Sequence, residues 1–316
     1  MSLDRIGRPI VQPLLLLLLL LLAQTGLATG AAAQRRIDER RPATPDGLLR
    51  IHNLVGAVRI IGWDRDTIAV TGTIGSGTFY MGVGKGGGKL GVDLPAAMLE
   101  ARIDLAPDKT SIVGSMLEVR VPRGTRVWVK TASADIEVDG VTGGLDLYAV
   151  GGAIRIRGAP QDIHAESMDG TLDLDVTTPV VRARSAGGAI TLRGDIENAV
   201  ASSVGGAITI ESATLQRGRF ESVTGAIHWT GDVERGSSLS FESHAGPVVL
   251  AVPETVSAEF DVTAFNADIR NEIARVIPRL GGDLRSRMLT FTMGEGAAQV
   301  TVRSFKGTVS LLRRND

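Results

Sequence analysis

The chain contains three consecutive blocks of eighteen residues, which read AVGGAIRIRGAPQDIHAE (149–166), SMDGTLDLDVTTPVVRAR (167–184) and SAGGAITLRGDIENAVAS (185–202). In each block the sixth and eighth residues are aliphatic and the seventh is polar or charged. Alternation with a period of two predicts a β-strand that buries one face. A second short alternating run closes several blocks, as at Ile163 and Ala165. Each block therefore predicts two strands joined by a turn.

Copies of this block continue on both sides of the three. Further copies begin at residues 131, 203, 222 and 243, and interrupted copies begin at 264 and 304. The clear repeats cover residues 131–273, with a period of 18 to 21 residues. A unit this short without a helical pattern cannot bury its apolar face alone, whereas stacked copies can. We therefore predict an all-β fold, a parallel β-solenoid (β-helix) whose equivalent strands pair about 4.8 Å apart.

Small residues mark the corners of the predicted coils. The first position of most copies is serine or alanine, and the fourth is almost always glycine. The predicted turn glycines are Gly152, Gly170, Gly188, Gly206 and Gly225. Small side chains leave room for neighbouring backbone, and glycine accepts a positive φ without steric cost. We expect both properties to explain this column.

The ninth position of the repeat alternates in charge. It reads Asp139, Arg157, Asp175, Arg193 and Glu211 in successive copies. Stacking in register would place each carboxylate next to an arginine, and such cross-strand pairs contribute about 0.2–1 kcal/mol each. We interpret this column as a structural charge ladder that supports parallel, in-register coils, and not as a binding site.

Two stretches of the chain carry a resemblance to a known family. They are LEVRVPRGTRVWVKT (117–131), followed by the repeated Ser-x-Gly-Gly-Ala-Ile, and GAVRIIGWD (56–64). Over about residues 46–312 the sequence resembles the bacterial putative adhesins, a family of exported domains. The resemblance implies a right-handed, β-helix-like fold and an adhesive role, with no defined catalytic residues to carry over. The chain departs from the pattern at Ala134, where glycine is usual.

The N-terminal residues have the features of a targeting signal. Arg5 and Arg8 precede a run of leucines, and Ala31-Ala32-Ala33 supplies a cleavage site. This order of features is typical of a secretory signal peptide, so we predict a signal peptide at residues 1–33 and no membrane span after its removal. We expect a charged linker at 34–45 and the solenoid domain at 46–316. The predicted location is periplasmic, or at the cell surface or outside the cell.

Two segments interrupt the repeats. Residues 75–91 (GSGTFYMGVGKGGGKLG) are rich in glycine but do not match the spacing of a phosphate-binding loop, so we predict a mobile hairpin or a loop tip there. Residues 274–302 break the repeat pattern, and 274–287 contain a candidate short helix broken at Pro278. Because terminal coils must be covered, we expect 274–302 to be an interrupting or capping segment.

The composition excludes several classes of function. The 316 residues include 34 Lys and Arg against 35 Asp and Glu, and this balance argues against a nucleic-acid partner. The absence of cysteine excludes disulfides, thiolate catalysis and cysteine-based zinc sites. The four histidines show no metal-ligand spacing, and we expect His164 and His228 to be solvated surface residues. We therefore predict no cofactor, no metal site and no catalytic residue.

One enzymatic alternative stays open. Some β-helices act on polysaccharides through acidic clusters, and glycoside hydrolysis needs two carboxylates about 5–9 Å apart. The candidate acids are Asp135, Asp139, Asp169, Asp173 and Asp175. Arginines at 155 and 157 lie between them in the repeat, as a charge ladder requires. This interleaving favours a structural role for the acids.

The sequence thus predicts an exported, non-catalytic structural or interaction protein of the adhesin type. Flat β-solenoid faces would contact an envelope protein or a polysaccharide, with self-association through uncovered strand edges as a further option. The two alternatives are a carbohydrate-active β-helix enzyme, either lyase or hydrolase, and a periplasmic accessory module in envelope-stress sensing.

Overall fold

The computed structural model describes residues 34–83, 98–105, 112–212, 214–282 and 285–314. These residues form 25 β-strands and contain no helix. The prediction of an all-β fold is therefore confirmed. No helix in the described ranges has the length and apolarity needed to cross a membrane. The predicted signal peptide at 1–33 lies outside the described residues.

The strands fall into three groups along the chain. The first seven are β1 (Arg35–Pro42), β2 (Leu48–Trp63), β3 (Thr67–Ile74), β4 (Thr78–Val83), β5 (Leu99–Asp104), β6 (Ser115–Pro122) and β7 (Arg126–Asp139). The repeat strands are β8 (Leu145–Ala149), β9 (Ile154–Gly158), β10 (Ile163–Ser167), β11 (Leu172–Val176), β12 (Thr178–Ser185), β13 (Ile190–Gly194), β14 (Ile196–Ser203), β15 (Ile208–Ser212), β16 (Arg217–Ser222), β17 (Ile227–Gly231), β18 (Ser238–Ser243) and β19 (Val248–Val252). The last six are β20 (Ala258–Phe265), β21 (Ile269–Asn271), β22 (Arg279–Leu280), β23 (Ser286–Met293), β24 (Gln299–Ser304) and β25 (Val309–Arg313).

Each repeat forms one coil with two strands, and equivalent strands pair in parallel. The odd-numbered strands from β9 to β19 form a first column, and the even-numbered strands from β8 to β18 form a second column. Ile154 pairs with Leu172 and Leu172 with Ile190, while Ile227 pairs with Val248. These partners are 18 to 21 residues apart, so the predicted coil length and the parallel register are confirmed.

The core is a set of aliphatic columns between the two strand columns. The sixth-position residues of the coils are all buried: Ile136, Ile154, Leu172, Ile190, Ile208, Ile227, Val248 and Val309. Opposite them, small residues such as Ala183 and Ala201 give way to Phe220 and Phe241 in later coils. The rings of these two phenylalanines stack with their centroids 5.3 Å apart. Packing of these columns holds the chain together without disulfides.

The fourth-position glycines lie where successive coils touch. None of the five predicted turn glycines has a positive φ, so that part of the expectation is wrong. A Cβ on Gly206 would instead overlap the carbonyl oxygen of Gly188 in the preceding coil, and the same contact recurs along the column. Positive φ values occur in the tenth column, at Gly158 (127°) and Gly194 (92°). Close approach of backbones is thus the reason for glycine at the fourth position.

Antiparallel strands cover the N-terminal end of the stack. The long strand β2 pairs in parallel with β7 on one side and with β5 and β6 on the other. Strand β3 then pairs antiparallel with β6, and β4 with β5. The segment 75–91, predicted to be a hairpin or a loop tip, contains β4, while its residues 84–91 lie outside the described residues. Residues 78–83 pair antiparallel with β5, which is compatible with the hairpin form of this prediction.

The predicted linker at 34–45 is also wrong for most of its length. Residues 35–42 form β1, which pairs antiparallel with β3 from Arg35 opposite Ile74 to Pro42 opposite Thr67. Only Ile37 of this strand packs against the core, and its charged neighbours point to solvent. An edge strand tolerates such a composition because charges and proline discourage further pairing. The same features made the segment look like a linker.

The last two coils lie in the reverse of their sequence order. Strand β24 pairs with β18 on one side and with β20 on the other, and β25 lies between β19 and β21 in the same way. The coil at 258–271 therefore lies at the end of the stack. Residues 299–313, which come later in the chain, lie between this coil and the coil of β18 and β19. Strand β23 pairs antiparallel with the outer edge of β20. The short helix expected at 274–287 is absent from the described part of that segment.

We predict that Gly206→Ala destabilises the fold by about 1–3 kcal/mol, the usual cost of overpacking. The new methyl group would meet the Gly188 carbonyl and separate two hydrogen-bonded coils. The matched control is Gly205→Ala, whose methyl group would make only ordinary contacts, 3.7 Å from the Ala186 carbonyl oxygen. Its free energy of unfolding should change by less than about 1 kcal/mol. Chemical denaturation measures both, and equal effects would contradict the close-contact explanation.

Candidate functional site

The ninth-position charges stack in consecutive coils. Asp139 pairs in register with Arg157, Arg157 with Asp175, Asp175 with Arg193, and Arg193 with Glu211. Ion pairs form both along this column and diagonally to the seventh position. Arg193 lies 3.3 Å from Glu211 and 2.6 Å from Asp173, while Arg157 lies 3.7 Å from Glu137.

The acids of the enzymatic alternative lie within this network. The hydrogen bond from Arg193 to Asp173 is the main factor that raises the pKa of the Arg193 guanidinium. Asp135 accepts a hydrogen bond from the backbone nitrogen of Ala153 at 2.9 Å. Among the described residues, no group of three or more histidines and carboxylates could hold a metal ion. Arg193 thus links Asp173 and Glu211, which come from the coils on either side of it.

We predict that Arg193→Gln lowers the free energy of unfolding by about 0.5–1 kcal/mol, and by less at high salt. The change leaves Asp173 and Glu211 without their shared cation and removes the positive charge next to Asp175 in the stack. Arg182→Gln is the matched control, because exposed Arg182 stacks between His164 and Val200. Urea titrations at low and high salt compare the two variants. A loss that does not depend on salt would count against a charge ladder.

An aromatic row crosses the outer face of the second column near the N-terminal end. His52, Trp128, Tyr148 and His164 come from β2, β7, β8 and β10 and follow one another diagonally across the coils. Their successive ring centroids are 5.0, 5.8 and 5.5 Å apart. The Arg50 guanidinium lies 5.1 Å from the Trp128 ring. We call these four rings the aromatic row.

Polar contacts fix the far end of the aromatic row. Tyr148 Oη lies 3.2 Å from His164 Nδ1, and His164 Nε2 lies 2.9 Å from Glu166 Oε1. His164 is therefore half-buried and hydrogen-bonded, and the prediction of a solvated His164 is wrong, because neighbouring coils supply its partners. His228 is exposed in the first column, as predicted. Burial, followed by the charges of Asp146 and Glu166, raises the pKa of Tyr148.

Burial chiefly lowers the pKa of His52 below its ordinary value. Glu100, with Oε1 4.0 Å from Nε2, opposes this shift, whereas Arg50, Lys130 and Arg102 add to it. When the pH falls, the unfolded chain therefore binds this proton before the folded chain does. Stability linked to His52 is fully present above about pH 6.5 and is lost as the pH falls through the folded pKa.

We predict that His52→Gln reduces the loss of stability between about pH 7.5 and about pH 5.5. The glutamine cannot take up a proton, so the unfavourable charging of a half-buried ring is removed. His228→Gln is the control, because His228 lies exposed in the other column. Thermal unfolding at both pH values gives the change in stability of each protein between them. An equal change for the wild type and His52→Gln would contradict the lowered pKa of His52.

A straight groove follows the corner where the second-column strands end, and we call it the corner groove. Two adjoining cavities of about 600 Å³ and about 360 Å³ form it and share Ser185, Ser202 and Val204. The floor consists of the first-position serines of successive coils: Ser167, Ser185, Ser203, Ser222, Ser243 and Ser304. These serines stack in register, so the groove runs along the solenoid axis and across the strands.

The two walls of the corner groove differ in chemistry. The residues before the serines are mostly polar: Tyr148, Glu166, Arg184, Ser202, Glu221, Glu242 and Arg303. The residues after the serines are mostly apolar: Met168, Ala186, Val204, Val223, His244 and Phe305. Phe305 stacks between His244 and Phe265, with ring centroids 4.9 and 5.0 Å away. An aromatic stack therefore stands at the C-terminal end of the groove, and Tyr148 lies at the other end.

The serine column is visible in the sequence, whereas the groove above it is visible only in the structure. The signal was present in the second position of the repeat, where apolar residues follow the serines in several copies. These side chains point outward, because the serine before each of them is buried at the corner. When an apolar residue recurs directly after the last buried residue of a repeated strand, it can thus indicate an exposed apolar wall along the stack.

Three solved structures are similar to this chain. A putative adhesin from Bacteroides fragilis is 12% identical with a TM-score of 0.38, over 89% of this chain and 99% of that one. A putative adhesin from Parabacteroides distasonis is 11% identical with a TM-score of 0.42, over 89% and 98%. A putative cell adhesion protein from Clostridium sporogenes is 9% identical with a TM-score of 0.21, over 89% and 100%.

No protein-family model matches the chain, and no curated protein is significantly similar to it. At these identities and TM-scores the three structures carry no argument about a ligand or a site.

Proposed function

We propose that the protein is an exported, non-catalytic interaction protein of the adhesin type. It presents one long face of the solenoid to a polymeric component of the envelope or the surroundings. The corner groove is the observation that carries this proposal, since it extends over seven coils, from Tyr148 to Arg303. A continuous groove of this kind suits an extended partner better than a small substrate, which enzymes usually enclose in a compact pocket.

The surroundings of the acidic residues support a non-catalytic role. Asp173 is bound to Arg193, and Asp139 and Asp175 stack beside arginines. A catalytic carboxylate must be free to reach its substrate, whereas an ion pair holds Asp173 and arginines lie next to Asp139 and Asp175 in the stack. This is the reason for preferring a binding protein to a carbohydrate-active enzyme.

The strands at the ends of the stack support a protein that acts as a monomer and not as a fibre. At the N-terminal end, β1 lines the edge with charged residues and ends at Pro42. At the other end β23 pairs with β20. Such features discourage edge-to-edge growth, so contact with a partner through the long faces is favoured over self-association into fibres. The leucine-rich residues 1–33 support export.

The test of this function is protease treatment of intact cells that produce the full chain. An adhesin must reach the outside, so we expect external protease to degrade the protein while a cytoplasmic marker survives. The mass of protein recovered without protease reports whether residues 1–33 are removed. Full protection until the outer membrane is permeabilised would defeat the adhesin role. That result would favour the alternative of a periplasmic accessory module in envelope-stress sensing.

A further inference from the structure

We propose that the corner groove binds a linear, neutral polysaccharide along the solenoid axis. This inference rests on the proposed function and names the chemical class of its partner. The groove crosses six coil-to-coil steps between Tyr148 and Arg303. At about 4.8 Å per step its length is about 29 Å, which calls for a chain ligand. A groove whose floor repeats once per coil fits a ligand that also repeats.

The floor of the groove contains two unsatisfied hydroxyl groups. Ser185 and Ser203 are 6% and 5% exposed, and the hydroxyl groups of both are without a hydrogen-bond partner among the described residues. Equivalent serines are satisfied within their own coils. Ser222 and Ser243, for example, donate to the carbonyl oxygens of Gly225 and Gly246 at 2.7 and 2.6 Å.

Buried polar groups are nearly always hydrogen-bonded, so the two free hydroxyls indicate a missing partner. Both lie in the stretch where the two cavities adjoin, because Ser185 lines both of them and Ser203 lines the larger one. The two hydroxyl oxygens are buried in this conformation. Rotation about χ1 would bring them to the groove, where a ligand hydroxyl could donate to one serine and accept from the other. Sugars carry such groups at regular intervals, whereas an acyl chain carries none.

The two walls match the two kinds of surface on a sugar ring. The apolar wall exposes Met168, Val204, Val223 and Phe305, on which the C–H face of a ring can pack. The opposite wall supplies carboxylate, guanidinium and hydroxyl groups, which can bind ring hydroxyls. Ligand sites commonly combine apolar walls with a few polar groups that set orientation.

The backbone direction argues against a polypeptide. An extended peptide is usually captured by a free strand edge, where its main chain adds to the sheet. Here the strands run across the groove, and their main-chain groups pair with the coils above and below. The mixed charges argue against a nucleic acid, since Glu221 and Glu242 stack next to each other on the polar wall.

The decisive experiment places a bulky charge in the groove without touching the core. Val204→Arg changes a residue that is 54% exposed and lines both cavities. Val200→Arg is the matched control, because Val200 lies in the same coil, is 38% exposed and lines neither cavity. Fluorescently labelled cellohexaose and chitohexaose serve as neutral linear probes, and their binding is followed by fluorescence polarisation. Thermal unfolding checks that both variants fold.

We expect the wild type to bind at least one probe, with an affinity that Val204→Arg lowers at least about tenfold and Val200→Arg leaves within about twofold. The proposal is overturned if the wild type binds neither probe, or if both variants lose affinity equally. Displacement of the bound glycan by poly-L-proline, an extended polypeptide, would also overturn it. Protease accessibility on intact cells does not depend on this groove, so failure here is distinguishable from failure of the proposed function.

Discussion

The structure depends on the distance at which one coil lies on the next. At each corner the fourth-position glycine approaches the carbonyl oxygen of the residue one coil below so closely that no Cβ would fit. This contact lets both strand columns pair at the spacing of an ordinary sheet on each side of a sharp corner. Once one corner is set, every other position of the coil lies above its equivalent, and the aliphatic, serine and charge columns follow.

A stack of this kind has the same problem at both ends, because a parallel column leaves unpaired backbone groups. Antiparallel strands pair with the outermost strands β5, β6 and β20, whereas β21 has β25 as its one partner among the described strands. At the start of the chain β3 and β1 cover β6, and at the other end β23 covers β20. The reversed order of the last two coils belongs to this solution. Strand β23 pairs with the terminal strand β20, and the C-terminal strands β24 and β25 lie between this last coil and the coil of β18 and β19.

Stacking also turns single side chains into continuous surfaces. A residue that is unremarkable in one coil becomes one rung of a column when it recurs at the same position. The ninth position becomes a row of alternating charge, and the positions around the corner serine become the two walls of a groove. Arg193 engages Asp173 and Glu211, while the groove contains two serine hydroxyls without a partner and several exposed apolar side chains.

Much of the fold could be predicted from the sequence, because a repeat displays its own register. The coil length, the parallel pairing and the partners of Asp175 are visible as soon as the blocks are aligned. The sequence could not reveal contacts that lie outside the repeat. His52 and Trp128 meet because β2 lies beside β7, and no spacing in the sequence marks that pairing.

Three further features were decided by tertiary structure. The charged strand β1 forms only because the edge of β3 is available to it. The coil at 299–313 lies beneath the coil at 258–271, because hydrogen bonding between edges, and not chain order, decides the neighbours. The corner groove exists because stacking aligns outward side chains that are 18 or more residues apart. The sequence by itself determined the coil and its register, since both repeat; the ends and the surfaces were decided by which edges and columns the folded chain brings together.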